Sequence, residues 1–258
     1  MTWLLVDADM LLYKAVIPCE VEIEWGDPDL ITTHLPLRQV RMLFDDLLSI
    51  MRQQTKCEKF SLCWTSPDNF RNKVDPSYKG TRRTTNHRIK PVGFKEARRW
   101  AENTYPSECW WRLEADDVLG ILSTRHIDST PIIWSGDKDL NQIPGFHLNS
   151  EGDIDLITED QADAFFYRQC LIGDSVDSYP GCPGVGPKTA EKLIPLERFN
   201  PTSAWRTVVE AYKKKGLSED YALTQARLAR ILRDTEYTYD DIQLWTPPTR
   251  PTTDTIKL

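Results

Sequence analysis

The sequence predicts an α/β fold, a central and mostly parallel sheet flanked by helices, followed by a largely helical C-terminal part. Three observations carry this. Trp3–Val6, Phe60–Trp64 and Pro131–Trp134 are short apolar runs of strand length, as expected of parallel strands buried on both faces. The intervals between them hold helical periodicity, so strands and helices alternate. After Asp153 the strand signal gives way to helical pattern.

The elements follow in order. Trp3–Val6 leads straight into Asp7-Ala8-Asp9. Leu37, Val40, Leu43, Phe44, Leu47, Leu48 and Met51 recur at helical spacing, which predicts an amphipathic helix over 37–54. Phe60–Trp64 is the second strand. From Thr65 to about Val92 the chain is polar and basic, with Pro67, Pro76, Gly80 and Pro91, and reads as loop or mobile element. A helix over Gly93–Asn103, a short strand near Cys109–Trp111 and a helix from Ala115 to Arg125 precede the strand Pro131–Trp134. Beyond it, helices are expected near 158–171, 187–194, 202–215 and 218–233. This gives an α/β core at 1–155, with a basic segment at about 71–93, and a helical part at 156–258.

The 258 residues suffice for a full core, and 40% hydrophobic with 28% charged residues is the balance of a soluble globular chain. No run approaches the roughly 18 apolar residues of a membrane span. The start, Met1-Thr2-Trp3-Leu4-Leu5-Val6-Asp7, has no basic region of a signal peptide, so a cytoplasmic location is expected. Six cysteines lie scattered without a Cys-x-x-Cys pair, and four histidines are dispersed. That disfavours zinc and fits buried, reduced thiols. The net charge of −7 argues at first against nucleic acid. Its distribution does not: Arg71–Arg99 holds ten Lys or Arg against Asp75 and Glu96, leaving the rest near −15. Exposed charges act over about a Debye length, so a local basic stretch can hold phosphates whatever the total. On charge alone it could equally be a solvated loop.

Three acidic groups fall where the alternation places the carboxyl ends of parallel strands: Asp7/Asp9, Glu114/Asp116/Asp117 and Asp137/Asp139. Ligands bind at that edge in open α/β sheets. Carboxylates gathered there repel one another unless a cation compensates, and hard oxygen donors suit Mg²⁺ or Mn²⁺. Two such ions can clamp the attacking and leaving oxygens of a phosphoryl displacement. A further string, Gly173–Ala190, brings Asp174 and Asp177 before a Gly/Pro-rich turn. There Gly184-Val185-Gly186-Pro187-Lys188 would expose backbone N–H groups and a lysine to a phosphate.

These residues resemble the flap endonuclease and 5′→3′ exonuclease family of PIN-like nucleases, especially the replicative exonucleases of short-tailed coliphages. The resemblance runs from Val6-Asp7-Ala8-Asp9 to about Trp245. It rests on Asp75-Pro76-Ser77-Tyr78-Lys79-Gly80-Thr81-Arg82, Glu114-Ala115-Asp116-Asp117, Gly136-Asp137-Lys138-Asp139 and Gly173–Ala190, in the family's order. Gln225–Arg233 and Glu236-Tyr237 resemble the phage branch. The resemblance implies a helical arch in the basic segment and a helix-three-turn-helix near 173–194. It implies two Mg²⁺ ions, replaceable by Mn²⁺: Asp7, Glu114, Asp116 and Asp117 at one, Asp137, Asp139, Asp174 and Asp177 at the other. Asp9 is not usually a direct ligand. Lys79 and Arg82 would contact the scissile phosphate. Arg71, Tyr78, Arg83, Gly184, Gly186 and Lys188 would join Lys79 and Arg82 in holding DNA, with Tyr78 either stacking on a base or packing. The implied substrates are DNA with 5′ ends (duplex, nicked or flap) and RNA–DNA hybrid, in phage replication, recombination or host DNA degradation. The sequence leaves the balance of exonuclease and flap cleavage, and the oligomeric state, open.

One departure stands out. Where the family has an aspartate after the second strand, this chain has Ser66, and Asp68 either reaches the same place or is a loop acid. Three rival readings remain: a haloacid-dehalogenase-type phosphotransferase, a PIN-type ribonuclease and a DNA-binding module without catalysis. The first two do not explain Gly173–Ala190, and the third leaves eight grouped acids without a task.

Overall fold

The computed structural model describes residues 2–26, 29–80, 90–125, 128–238, 241–248 and 255–257. Six strands form the main sheet: β1 (Thr2–Asp7), β4 (Lys59–Cys63), β5 (Ser107–Glu108), β6 (Thr130–Trp134), β7 (Gly145–Leu148) and β8 (Ile154–Ile157). The order is β5-β4-β1-β6-β7-β8, and every pairing is parallel except β7 with β8. β1 lies at the centre, with Val6 in register with both Leu62 and Trp134.

The period-two alternation of β1 separates two cores. Leu4 and Val6 pack with Leu62, Ile132 and Trp134 against α1 (Ala8–Val16), α2 (Leu37–Thr55) and α4 (Phe94–Thr104). Trp3 and Leu5 pack on the other face with Val118, Leu119 and Leu122 of α5 (Ala115–Thr124). Gly120 lets α5 approach the chain behind it, since a Cβ there would collide with the Leu232 carbonyl oxygen. A third cluster joins α6 (Glu159–Ile172), α7 (Pro187–Leu193), α8 (Pro201–Lys213) and α9 (Glu219–Ala229) through Tyr167, Leu171, Trp205, Val208, Tyr212 and Leu223. Tyr78, and Val74 at the end of the short α3 (Arg71–Val74), pack into this helical cluster.

Several details differ from the sequence expectation. The hairpin of β2 (Val21–Glu24) with β3 (Ile31–His34) and the strands β7 and β8 add to the expected set. The short strand lies at Ser107–Glu108 rather than 109–111. The helix expected over 218–233 stops at Ala229. Beyond it, buried side chains take the backbone groups: Gln142 donates to the Ala229 carbonyl and accepts from Ile231 N–H, and Asp117 accepts from Leu232 N–H. Ile231, Leu232 and Ile242 thereby return to the α5 side of the sheet, so the C-terminal part is packed on the α/β core. A small sheet of β9 (Tyr237–Thr238), β10 (Asp241–Gln243) and β11 (Thr255–Lys257) follows. Among the described residues no helix is long and apolar enough to cross a membrane.

Candidate active site

The parallel strands end together, and their carboxyl ends deliver acids into one cleft of about 830 Å³. Asp7 is the last residue of β1 and the N-cap of α1. One carboxylate oxygen accepts from Met10 N–H at 3.1 Å and the other from the Ser135 hydroxyl at 2.7 Å. Glu114 caps α5, and Asp116 lies in its first turn. Asp137 follows β6 and accepts from Asp139 N–H at 2.9 Å. Asp174 and Asp177 arrive from the turn after α6, where Asp174 accepts from Val176 N–H at 2.7 Å. Asp7, Asp9, Glu114, Asp116, Asp137, Asp139, Asp174 and Asp177 all line the cleft.

The charges in this cleft are unevenly compensated. Burial, with Asp9 and Asp137 nearby, pushes Asp7 up to about 6 despite its two hydrogen bonds. Burial and the charges of Asp7, Asp137 and Glu114 raise Asp116 well above the usual carboxylate range. Asp139 is likewise pushed up to about 6 by burial, Asp137, Asp174 and Asp177. Glu114 goes the other way. Burial disfavours its charge, but Lys79 and Arg71 outweigh that and hold it near 2. Lys79 Nζ donates to Glu114 and stands 3.5 Å from Asp177, while the Tyr78 hydroxyl donates to Glu114 at 3.0 Å.

The raised Asp7 has a consequence for stability. Its folded pKa of about 6 lies above the ordinary aspartate value of 3.8, so the native state holds this proton more tightly than the unfolded chain. The ionised carboxylate therefore costs stability above pH 6, and the cost fades as pH falls toward 4. In chelator at pH 7, Asp7→Asn should be more stable than the parent by on the order of 2 kcal/mol, with the gap narrowing at pH 5. Melting curves of both proteins at the two pH values check this, and a gap that does not change with pH contradicts it.

Several sequence-predicted residues lie elsewhere than expected. Asp117 is fully buried and does not line the cleft. Its two oxygens accept from Arg71 Nη1 and Nη2 at 2.7 and 2.8 Å, and it also accepts from Glu114 N–H. Arg71, expected to hold DNA, is only 2% exposed. Its guanidinium is saturated by Asp117, Glu114 and the carbonyls of Leu228 and Arg230. Tyr78 is 3% exposed, so its ring packs and offers no face to a base. Asp68 is exposed and outside the cleft. Ser66 is buried and its hydroxyl accepts from Arg112 N–H, so neither residue brings a carboxylate to this edge. Asp117 and Arg71 thus do not stand where a metal ligand and a DNA contact were expected, while Tyr78 and Asp68 take the alternatives of packing and of a loop acid. Arg82 and Arg83 lie outside the described residues. Gly184, Gly186 and Lys188 are exposed and away from the cleft, on the turn leading into α7 and at its start.

Other residues of the cleft are not singled out by sequence pattern. Lys90, Lys95 and Arg98 line it, and Arg98 donates to the Thr65 carbonyl and pairs with Asp9 at 3.7 Å. Gln169 holds Asp139, donating to both its oxygens at 3.2 and 3.3 Å. The basic residues are visible in the charge run; Gln169 and Ser135 carry no signal in sequence.

Among the described residues, no three metal-ligating side chains converge closely enough to enclose an ion as they stand. Uncompensated carboxylates repel, and the Glu114 oxygens are already engaged by cationic and phenolic donors. Among the described residues no Cys or His lines the cleft, and its acidic side chains offer oxygen donors. Such a set suits a hard divalent cation.

Residues 2–162 match the family described as 5′–3′ exonuclease, N-terminal resolvase-like domain. Over 95% of its length the chain is 28% identical to the exodeoxyribonuclease of Enterobacteria phage T3, covering 92% of that protein. Over 95% it is 27% identical to the exonuclease of Escherichia phage T7, covering 93% of that protein. Among solved structures, the bacteriophage T5 flap endonuclease in a pseudo-enzyme–product complex with DNA and metal ions matches with a TM-score of 0.66. That match is 14% identical and covers 91% of this chain and 90% of that one, a likeness of fold.

Proposed function

The chain belongs to the 5′–3′ exonuclease family, and from that premise we propose that it hydrolyses DNA phosphodiester bonds from free 5′ ends with the help of divalent cations. The observation that carries this is one cleft in which acids from three strand ends and the turn after α6 outnumber the cations facing them. The phage T5 relative, solved with DNA and metal ions, supports the same reading. Asp7, Asp116 and Asp137 would hold one Mg²⁺ or Mn²⁺, with Glu114 beside them. Asp139, Asp174 and Asp177 would hold a second, reached from Asp137. Such ions, when bound, offset the carboxylate charge and stabilise the attacking and leaving oxygens at phosphorus.

The chain's own residues do the rest. Arg71 and Tyr78 fix the Glu114 carboxylate from beneath. Ser135 fixes Asp7, and Gln169 fixes Asp139, so the acids keep their orientation. Lys79 is a counter-charge at the mouth, placed between Glu114 and Asp177. With a substrate phosphate in the cleft, its ammonium would turn to that phosphate, where charge develops during reaction. Arg82 would act beside it. Arg83, Gly184, Gly186 and Lys188 would hold DNA, the last three on the duplex remote from the reacting bond. Residues 1–155 would form the nuclease core with its basic segment at about 71–93, of which 81–89 lie outside the described residues, and 156–258 the DNA-holding part with a helix-three-turn-helix at about 173–194. Nicked, flap and RNA–DNA hybrid substrates belong to the same proposal, as do roles in phage replication, recombination or host DNA degradation.

Kinetics test the division between cleft and duplex contacts. Lys79→Ala should lower the single-turnover rate by on the order of 10²-fold with little loss of duplex binding. Lys188→Ala should weaken binding while leaving the saturated rate near that of the parent. A Lys79→Ala protein that loses binding and keeps its single-turnover rate contradicts the assignment.

A further inference from the structure

Large apolar side chains are left in water at the hairpin of β2 and β3. Val21 is 47% exposed, Trp25 61%, Leu30 51% and Ile31 51%. No described residue of the hairpin belongs to a buried cluster, and only Cys19 and Leu35 at its base enter the core beside α1 and α2. The Glu20 carboxylate ties that base to the segment before α4 by accepting from Val92 N–H at 3.0 Å. A ribbon of two strands buries little on its own and is at best marginally stable in water. Contiguous apolar surface of this kind, rimmed by polar groups, marks an interaction surface.

The backbone says what shape of partner fits. Trp25 N–H donates to the Leu30 carbonyl at 3.2 Å, and the same register pairs Ile23 with Thr32 and Val21 with His34. Bonded and non-bonded pairs alternate along an antiparallel ladder, so Glu22 and Glu24 hold the non-bonded positions. Their backbone N–H and C=O groups therefore point away from β3, along an edge that no other strand of the described residues covers. Side chains alternate as well. Val21, Ile23 and Trp25 share one face of β2, where Trp25 Nε1 donates to the Thr32 hydroxyl at 2.9 Å and the indole lies across the ribbon. Glu22 and Glu24 share the other face.

Charge says what chemistry fits. Residues 20–29 contain five acids and no Lys or Arg. A nucleic-acid backbone is repelled by such a stretch, whereas a cationic partner is attracted to it.

We propose that the free edge of β2 is a docking site for a protein partner that adds an extended strand in which apolar residues alternate with Lys or Arg. The backbone of Glu22 and Glu24 pairs with that strand, its apolar side chains lie beside Val21, Ile23 and Trp25, and its cations meet the two glutamates. No hairpin residue lines the acidic cleft, so the docking site stands apart from the chemistry there.

Anisotropy of a fluorescein-labelled Lys-Val-Lys-Val-Lys-Val-Lys peptide, titrated with the full chain at low salt, tests it. Saturable binding is expected. The double variant Glu22→Lys/Glu24→Lys and the single variant Trp25→Ala should each weaken it on the order of 10-fold. A block-ordered peptide of the same composition, Lys-Lys-Val-Val-Val-Lys-Lys, should also bind about 10-fold more weakly, because it cannot match the period-two edge. Melting temperature and cleavage of a short duplex should stay at parental values in all variants. Absence of binding overturns the proposal. So does equal binding of the two peptides, or binding that the variants leave unchanged, since either reduces the contact to general charge attraction. If Trp25→Ala instead weakens binding of a single-stranded oligonucleotide while the peptide does not bind, the hairpin is a nucleic-acid contact and the proposal fails.

Discussion

Asp116→Asn should cut the rate of DNA cleavage in Mg²⁺ by at least about 10²- to 10³-fold while leaving duplex binding in chelator close to that of the parent. Burial, and then the charges of Asp7, Asp137 and Glu114, raise the Asp116 carboxyl well above the usual carboxylate range. Removing its charge relieves that repulsion. The variant should therefore fold at least as well as the parent, and lost activity cannot be blamed on lost structure. Melting curves alongside single-turnover rates check both halves. Full cleavage by Asp116→Asn would mean that the ions, if they bind here, do not need this carboxylate.

Arg71→Ala should act on the fold instead. Arg71 and Asp117 form a pair with almost no solvent exposure, at 2% and 0%, and the guanidinium also holds the Leu228 and Arg230 carbonyls. Removing the cation leaves a buried carboxylate uncompensated, which costs about 3–5 kcal/mol. For a chain of this size the melting temperature should fall by roughly 10 °C. Arg71→Lys should recover only part of this, because an ammonium cannot meet both Asp117 oxygens at once. A protein with parental stability and weakened DNA binding would instead put Arg71 on the DNA-holding surface. The pair also ties α3 to α5 and to the end of α9, so the nuclease cleft and the helical part are fixed to each other through it.

The contrast between Asp116 and Arg71 shows what the sequence could and could not convey. The acids at strand ends were legible because buried apolar runs and helical periodicity locate the carboxyl edge of a parallel sheet. The neighbouring Asp116 and Asp117 were both expected in the cleft, although consecutive helix positions point about 100° apart and cannot share one face. Counting charge between Arg71 and Arg99 showed a basic segment, but a count does not separate a buried guanidinium from an exposed one. The end of α9 at Ala229 was hidden for a different reason. Leu228, Ile231 and Leu232 continue an apolar pattern, and the helix stops only because Gln142, Asp117 and Arg71 claim the backbone from distant parts of the chain. The hairpin at Val21–Glu24 and Ile31–His34 did carry a signal, the alternation Val-Glu-Ile-Glu, and it was readable.

The likeness to phage exonucleases over nearly the full chain and the acidic cleft point the same way. Ser66 and Asp68 bring no carboxylate to the cleft, whereas Asp9 lines it and accepts from Thr65 N–H at 2.8 Å. On the proposed reading an ion there would rest on Asp7, Asp116 and Asp137, which line the cleft.

The most direct measurement follows a blunt DNA duplex labelled at its 5′ end or its 3′ end, with the protein in chelator and then with Mg²⁺ added. In chelator the protein should bind without cleaving. After Mg²⁺ is added, the 5′ label should leave in short products while the 3′-labelled strand shortens progressively. Cleavage that proceeds undiminished in chelator, or that begins at the 3′ end, would contradict a metal-dependent 5′-nuclease.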